Sequence, residues 1–152
     1  MSVEAVKDFF KGKHKEVPIL KFEDTSTVAK AAESLGVTPG EIAKSLLLQV
    51  HDQFVMVLMA GDKRLDNRKF KDTFIGKPKM PSMEQVLEIT GHPVGGVCPF
   101  GLKEEIPVYL DESLKEYSVV FPAAGAPDAA VKLTVTELEE LVAKGWVDVA
   151  QG

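Results

Sequence analysis

Apolar residues recur along the chain at two spacings, one typical of helices and one typical of strands. Near the N-terminus Val3, Val6, Phe9 and Phe10 repeat every three or four positions, which predicts an amphipathic helix over residues 2–11. Comparable spacing predicts further helices, each opened by a capping residue: Thr25 or Ser26, Thr38, Asp66, Ser82 and Thr134. These helices alternate with apolar runs, so both kinds of element contribute to the fold.

Two long apolar runs, residues 45–50 and 54–60, flank the turn His51-Asp52-Gln53 and predict a hairpin at the centre of a sheet. Shorter apolar runs predict strands at residues 17–22, 106–110, 117–121, 130–133 and 146–149, and Pro107 places its strand at an edge or bulge. The pattern yields about seven strands and five or six helices. It therefore predicts a mixed α/β or α+β fold: one domain over residues 1–152, with a curved, mostly antiparallel or mixed sheet surrounded by helices.

Residues 90–101 form the most unusual stretch of the chain. They hold four glycines, two prolines, His92 and the single cysteine, Cys98. Proline removes backbone donors and glycine weakens helices and strands, so the stretch predicts a loop, and its apolar members indicate a rigid, partly buried one. Because glycine permits close approach to the backbone, successive N–H groups in this loop can face a carbonyl oxygen or an anion.

Composition narrows the class of protein. The 152 residues are 45% hydrophobic and 27% charged, which is typical of a globular protein. No apolar run reaches the length of a membrane span, and the N-terminus lacks the basic and apolar regions of a signal peptide. One cysteine excludes an internal disulfide and is typical of a reducing compartment, so we expect a cytoplasmic protein without a membrane partner.

The net charge of −5 argues against a nucleic-acid partner, but the distribution of charge changes this picture. Residues 61–79 carry seven basic and three acidic side chains, a net +4, whereas residues 80–152 carry a net −8. The basic segment, as we call residues 61–79, contains Lys63, Arg64, Arg68, Lys69, Lys71, Lys77 and Lys79. It is either a solvated surface, which charge alone favours, or a surface that meets phosphates.

Most catalytic motifs are absent from the sequence. There is no G-x-S-x-G, Walker loop, H-E-x-x-H or dinucleotide fingerprint, and the histidines and cysteine lack metal-ligand spacing, so we predict neither a cofactor nor a metal. His92 and Cys98 could form a nucleophile–base pair, although a buried cysteine and a backbone-bonded histidine are the simpler interpretation. Lys44, flanked by apolar residues, is either a surface lysine at the start of a strand or an ammonium at the mouth of a pocket.

Three motifs occur in order along the chain: Ile42-Ala43-Lys44-Ser45-Leu46, Gly95-Gly96-Val97-Cys98-Pro99 and Gly125-Ala126-Pro127-Asp128. Together they resemble the I-x-K-[ST]-L segment, the G-x-x-x-P loop and the small-residue glycine loop of the YbaK/EbsC family. This is a family of aminoacyl-tRNA deacylases that is also found as the editing domain of prolyl-tRNA synthetase. The resemblance covers nearly the whole chain and implies the fold of that family in a free-standing editing protein.

The resemblance implies hydrolysis of the ester between a wrong, small amino acid and the terminal adenosine of tRNA, most often tRNA(Pro). Lys44 would supply positive charge near the terminal phosphate or ribose, and backbone N–H groups of the loop 95–99 would stabilise the oxyanion. The ribose hydroxyl would assist the attacking water. The catalytic set implied in this way is Lys44, Gly95, Gly96, Val97, Cys98 and Pro99.

The same resemblance assigns binding residues. The substrate-binding set is Ala43, Ser45, His92, Gly125, Ala126, Pro127 and Asp128. Within it, Gly125 and Ala126 would wall a small amino-acid pocket, Ala43 would adjust its size, and no role for His92 follows from the family pattern. The basic segment becomes the surface for the acceptor stem through Lys63, Arg64, Arg68, Lys69 and Lys71. The expected partners are a mischarged tRNA and, as a candidate, prolyl-tRNA synthetase.

Two alternatives stay open at this point. One is a non-catalytic module that binds tRNA or a synthetase, which would have the same charge pattern but no turnover. The other, less favoured, is a thiol hydrolase that uses Cys98 and His92, since a cysteine nucleophile needs its base placed beside it in space.

Overall fold

The computed structural model describes residues 2–21 and 27–151. The helices in these ranges are α1 (Ser2–Gly12), α2 (Val28–Leu35), α3 (Asn67–Phe74), α4 (Met83–Thr90) and α5 (Val135–Val142), with 3₁₀ turns at Pro39–Glu41 and Glu112–Glu116. The strands are β1 (Leu20–Lys21), β2 (Ala43–Val50), β3 (Gln53–Ala60), β4 (Arg64–Leu65), β5 (Val108–Asp111), β6 (Val119–Val120), β7 (Ala129–Ala130), β8 (Leu133–Thr134), β9 (Gly145–Val147) and β10 (Ala150–Gln151).

Several helices begin at the capping residues that the sequence predicts. Ser82 and Thr134 form capping boxes at α4 and α5. The Asp66 carboxylate accepts hydrogen bonds from two main-chain N–H groups in the first turn of α3, both at 3.0 Å. Local side-chain chemistry therefore determines where these helices start, because a cap satisfies N–H groups that have no partner within the helix.

Two predictions fall on residues between the described ranges. Thr25 and Ser26, the predicted caps of α2, lie outside the described residues, and so does Phe22 at the end of the first predicted strand. In the described residues Thr27 caps α2, since its hydroxyl accepts a hydrogen bond from the N–H of Lys30 at 3.2 Å. Of the predicted strand 17–22, β1 covers Leu20–Lys21.

The largest sheet has four strands in the order β2–β3–β5–β9. β2 and β3 form the predicted hairpin and pair antiparallel, whereas β3–β5 and β5–β9 pair parallel. The other strands in the described ranges form the antiparallel pairs β1–β7, β4–β10 and β6–β8. The mixed α+β class is confirmed, but the strands are divided among four small sheets in place of the single larger sheet that was expected.

Two predicted strand positions are wrong. The hairpin does not lie at the centre of the sheet, because β2 is an edge strand. Of the edge or bulge predicted at Pro107, the edge is excluded, because β5 lies between β3 and β9. Pro107 precedes that strand, and its carbonyl accepts a hydrogen bond from the N–H of Met56 at 3.0 Å. Proline is tolerated at this position because it lacks only the donor and keeps the acceptor.

The four-stranded sheet separates two apolar clusters, because successive side chains of a strand point to opposite faces. On one face, Met56 and Leu58 of β3 pack with residues of α1 and α5. On the other, Val57 and Met59 of β3 pack with Phe70 of α3. The helix that carries part of the basic segment therefore covers one face of the sheet.

α4 packs beside β2 and leaves an apolar flank exposed. Val86 and Ile89 pack against Leu47 of β2. Leu87 is 52% exposed, because turning Val86 and Ile89 toward β2 leaves the intervening position on the outer side of the helix. None of the helices in the described ranges is long and apolar enough to cross a membrane.

Asp111 links three elements at the end of β5. Its side chain is buried, and its two oxygens accept hydrogen bonds from the N–H groups of Val149 at 2.8 Å and Ser113 at 2.9 Å. The hydroxyl of Ser113 in turn accepts a hydrogen bond from the N–H of Ala60 at 3.1 Å. One carboxylate thus connects the end of β3, the turn after β5 and the chain that enters β10.

We expect Asp111→Ala to lower the free energy of unfolding by about 3 kcal/mol, because two main-chain donors would lose a charged acceptor. Urea denaturation measures the change. Asp148→Ala is the matched control, since it removes an exposed carboxylate paired with Lys69 at 3.0 Å and should cost less than about 1 kcal/mol. Equal losses in the two variants would contradict the role of Asp111.

Candidate active site

An apolar cavity of about 280 Å³ lies beside β2, where α2, α4 and the loop that contains Gly95 come together. Its walls include Val28, Ala31, Val86 and Phe121. Among the described lining residues Lys44 is the single titratable side chain. Across residues 2–21 and 27–151, no group of three or more His, Cys, Asp and Glu side chains could hold a metal ion. The cavity therefore offers an apolar surface with one cation.

Lys44 lies where the cavity meets the basic segment. It is half-buried on the same face of β2 as Leu46, and its ammonium donates a hydrogen bond to the main-chain carbonyl of Lys63. Burial lowers the pKa of Lys44, the Asp62 carboxylate raises it, and the nearby Arg64 lowers it. An ammonium has three donors, and the Lys63 carbonyl is its one hydrogen-bond partner among the described residues, so two donors remain for a ligand.

Ala43 and Ser45, both predicted site residues, line the same cavity as Lys44. The Oγ atom of Ser45 is buried and has no hydrogen-bond partner among the described residues. A buried hydroxyl without a partner is destabilising, and an occupant of the cavity could satisfy it. Ser45 is therefore a polar group in position to meet a ligand.

The glycine loop reaches the cavity through Gly95 and Val97. Gly95 has a φ of 95°, a conformation in which side chains other than hydrogen are strained. Two of the three sequence motifs, the segment around Lys44 and the loop 95–99, thus meet at one cavity. The fold brings them together although more than forty residues separate them in the sequence.

The N–H groups of this loop are not equally available. The Gly96 N–H donates to the carbonyl of Pro93 at 2.9 Å, so the prediction that it is a free oxyanion donor is wrong for this structure. Pro99 has no N–H and does not line the cavity. The N–H groups of Val97 and Cys98 have no hydrogen-bond partner among the described residues, but of the two residues Val97 alone lines the cavity, so its N–H is the donor that a ligand there would meet.

Gly96 packs directly against the main chain of residues 125–126. A Cβ atom on Gly96 would lie 2.5 Å from the nitrogen of Ala126, closer than side-chain atoms approach a backbone. The N–H of Gly125 donates to the carbonyl of Gly96 at 2.9 Å. The third motif therefore supports the glycine loop through contacts between the two main chains.

This packing corrects the prediction that Gly125 and Ala126 wall the amino-acid pocket. Neither residue lines the cavity, and neither do Pro127 and Asp128. The carboxylate of Asp128 lies 3.7 Å from the ammonium of Lys21, in an exposed ion pair. The segment is held away from the cavity because it packs behind the loop that lines it.

His92 and Cys98 are buried and do not line the cavity. The Nε2 of His92 donates to the carbonyl of Phe100 at 2.8 Å, which leaves Nδ1 without a proton and without a partner among the described residues. Burial lowers the pKa of His92 and raises the pKa of the Cys98 thiol to about 12. The sulfur lies 3.6 Å from Nε2, but that nitrogen carries a proton and cannot act as a base. This geometry argues against a thiolate nucleophile.

The basic segment divides into engaged and exposed side chains. The ammonium of Lys69 lies 3.0 Å from a carboxylate oxygen of Asp148 and 2.9 Å from the carbonyl of Ala150, so it holds α3 against the chain around β10. Arg64, Arg68 and Lys71 are exposed, and Lys63 is half-buried beside Lys44. The exposed members are the ones available to an external partner.

Sequence reasoning missed most of the cavity wall. Met80, Met83 and Val94 line the cavity and are nevertheless 71%, 74% and 53% exposed. Met80 and Val94 lie outside helices and strands, next to prolines, where an apolar side chain has little core to join. An apolar residue next to a proline and outside a helix or strand is the one sequence signal for this part of the cavity wall. The signal is weak because single exposed apolar residues are common.

Residues 23–141 match the family described as the aminoacyl-tRNA editing domain. The chain belongs to this family. The editing domain is 45% identical to the uncharacterized protein YwhH of Bacillus subtilis, over 99% of this chain and 98% of that protein. It is 31% identical to EbsC of Enterococcus faecalis, a candidate Cys-tRNA(Pro)/Cys-tRNA(Cys) deacylase, over 86% of each chain.

The editing domain is also similar to a solved structure and to part of a synthetase. The editing domain matches the crystal structure of a candidate trans-editing enzyme for prolyl-tRNA synthetase with a TM-score of 0.90 and 31% identity, over 99% of this chain and 98% of that chain. The proline–tRNA ligase of Bacillus licheniformis is 34% identical over 74% of this chain, which spans 19% of the ligase. The resemblance to the YbaK/EbsC family and its fold is therefore confirmed.

We expect Gly96→Ala to displace the glycine loop from the cavity, because its Cβ would meet the main chain of Ala126. The variant should lose about 2 kcal/mol of unfolding free energy in urea, as overpacked sites do. Gly12→Ala is the matched control, since a Cβ there meets nothing within 4 Å. A Gly96→Ala protein as stable as Gly12→Ala would contradict the close packing of the two loops.

Proposed function

We propose that this editing domain hydrolyses the ester between a mischarged small amino acid and tRNA, acting in trans, with tRNA(Pro) as the first candidate substrate. The observation that carries the proposal is that Lys44 and Ser45 of β2 and Gly95 and Val97 of the glycine loop line one and the same cavity. The names of EbsC and of the matched trans-editing structure support the same activity.

Main-chain donors of the glycine loop stabilise the transition state in this proposal. Attack of water on the ester places negative charge on the carbonyl oxygen, and each N–H group aimed at that oxygen contributes about 3–4 kcal/mol. Gly96 is engaged with Pro93, so this role passes to the N–H group of Val97, which lines the cavity. The buried thiol of Cys98 takes no part.

The attacking water receives little help from the protein. The described lining residues of the cavity include no His, Asp, Glu or Cys, so no general base is provided there. A hydroxyl of the terminal ribose, which is part of the substrate, takes the place of a protein base. A mechanism of this kind depends on positioning, which alone can lower a barrier substantially.

Lys44 positions the substrate in this proposal through its charge. Its ammonium is held at the carbonyl of Lys63, between the cavity and the basic segment, where the terminal phosphate of the acceptor strand would enter. A protonated lysine attracts phosphate as a point charge, and this requires no proton transfer. Because burial lowers its pKa, Lys44 loses this charge at a lower pH than an exposed lysine does.

The test is deacylation of alanyl-, cysteinyl-, seryl- and prolyl-tRNA(Pro) by the purified protein. We expect hydrolysis of at least one mischarged tRNA in preference to prolyl-tRNA(Pro). Lys44→Ala should slow it by about tenfold or more, because a hydrogen bond to a charged group contributes about 1.5–3 kcal/mol. Lys115→Ala is the control, since it removes an exposed lysine that pairs with Glu112.

The same experiment separates the alternatives. Binding of tRNA without hydrolysis of any ester would favour a non-catalytic module. If the Lys44→Ala protein were fully active, Lys44 would have no role in the hydrolysis. A Cys98→Ala protein that folds but has lost all activity would favour the thiol hydrolase, which the burial and raised pKa of Cys98 oppose.

The exposed face of α3 is the proposed contact for the acceptor stem. Arg68 and Lys71 lie three residues apart and therefore share one side of the helix, whereas Phe70 points into the core. We expect the double variant Arg68→Ala, Lys71→Ala to weaken tRNA binding and to reduce the slope of log affinity against log salt by about 1 to 2. Filter binding at several salt concentrations measures both quantities.

The matched control for this prediction is Lys103→Ala combined with Lys115→Ala. It makes the same change in net charge with exposed residues outside the basic segment. If the two double variants weaken binding equally, net charge alone accounts for the effect and α3 is not the contact surface.

A further inference from the structure

The outer edge of β2 presents main-chain groups of alternate residues to the cavity. In an antiparallel pair, residues alternate between exchanging hydrogen bonds with the partner strand and directing them away from it. Two hydrogen bonds of β3 show which of its residues direct their main chain away from β2. The N–H groups of Met56 and Ala60 point away from β2, to Pro107 and to Ser113.

The residues of β2 opposite those two positions must also direct their main chain outward. Leu47 pairs with Met56 and Ala43 pairs with Ala60, so both belong to the outward set, and Ser45 lies midway between them. Gln49, the next member of this set, confirms the alternation because it exchanges hydrogen bonds with Lys79 on the outer side. Ala43, Ser45 and Leu47 all line the cavity.

The outward N–H and carbonyl groups of Ala43, Ser45 and Leu47 have no hydrogen-bond partner among residues 2–21 and 27–151. The edge is covered at both ends, by the N–H of Phe121 on the carbonyl of Glu41 and by Lys79 on Gln49. Between these points Ala43 and Leu47 are roughly 14 Å apart, since a strand rises about 3.4 Å per residue. An added strand would meet Phe121 or Lys79 at its ends, so only a short occupant fits.

We infer that Ser45, at the middle of this open edge, binds the amino-acid part of the substrate through its main chain. Its carbonyl accepts a hydrogen bond from the α-ammonium, and its N–H donates to the ester carbonyl, as two paired strand residues do. The inference rests on the proposed function and deepens it: the substrates are aminoacyl esters with a free α-amino group, and N-blocked esters are excluded.

The chemistry of the cavity favours this occupant. An α-amino acid carries a donor and an acceptor separated as in a strand residue, so it matches one outward residue of β2. The unpaired Oγ of Ser45 adds a third polar group at the same place. The apolar walls then contact the side chain. The strand edge therefore recognises the α-amino and carbonyl groups that all amino acids share, and the walls recognise the side chain, in which they differ.

The direct test is amide hydrogen exchange, followed by NMR, with 3′-alanylamino-3′-deoxyadenosine as a probe that cannot be hydrolysed as an ester. In the free protein the amides of Ser45 and Leu47 should exchange at least about tenfold faster than those of Leu46 and Leu48, which face β3. Saturation with the probe should slow the Ser45 amide about tenfold or more and leave Leu46 and Leu48 unchanged. The alternate residues of one strand are thus the internal control.

A second probe tests the α-ammonium. 3′-Propanoylamino-3′-deoxyadenosine lacks the amino group and is otherwise the same size or smaller, so steric exclusion cannot explain weaker binding. We expect its affinity to be at least about tenfold lower than that of the alanyl probe, because a hydrogen bond from a charged group is lost. In the deacylation assay, N-acetylalanyl-tRNA(Pro) should be hydrolysed at least about tenfold more slowly than alanyl-tRNA(Pro).

The outcomes distinguish this inference from the proposed function. Equal hydrolysis of the blocked and free esters, or a bound probe that leaves the Ser45 amide unprotected, overturns the inference while the deacylase function stands. Failure to hydrolyse any charged tRNA overturns the function. Protection of the Ser45 amide by the alanyl probe, together with weak binding of the propanoyl probe, supports the inference.

Discussion

The register of the β2–β3 hairpin is the constraint on which the site depends. Eight residue pairs hold the two strands, and each pair fixes both the face on which a side chain lies and the direction of its main chain. Lys44 is thereby placed on the face covered by α3 and its neighbours Ala43 and Ser45 on the opposite face, and all three line the cavity beside β2. A shift of one residue would exchange these positions and remove the site.

Close contact between main chains is the second requirement. The two glycine loops approach each other at Gly96 so closely that no side chain fits between them, and Gly61 is similar, since its Cβ would lie 2.3 Å from the carbonyl oxygen of Pro39. At Gly96 and Gly61, glycine is therefore needed for the space it leaves. The loop that lines the cavity through Gly95 and Val97 is therefore held at a fixed separation from the segment behind it.

The sequence predicted what is local and missed what depends on packing between distant segments. Helix caps such as Asp66 and the turn at His51 follow from neighbouring residues, and both were found. Lys44 and the loop 95–99 were found through their motifs. The edge position of β2 and the place of Gly125 behind the loop depend on which elements pack together, and no spacing in the sequence carries that information. The cavity wall at Met80 and Val94 was missed for the same reason.

The burial of Cys98 has a practical consequence. The chain has one thiol, its side chain is fully buried, and burial raises its pKa to about 12, so in the folded protein it is neither accessible to alkylating reagents nor ionised to the reactive thiolate. The residue is packed in the largest apolar cluster together with Phe100 and Val6. The rate at which Cys98 is alkylated therefore measures how often that cluster opens by local unfolding.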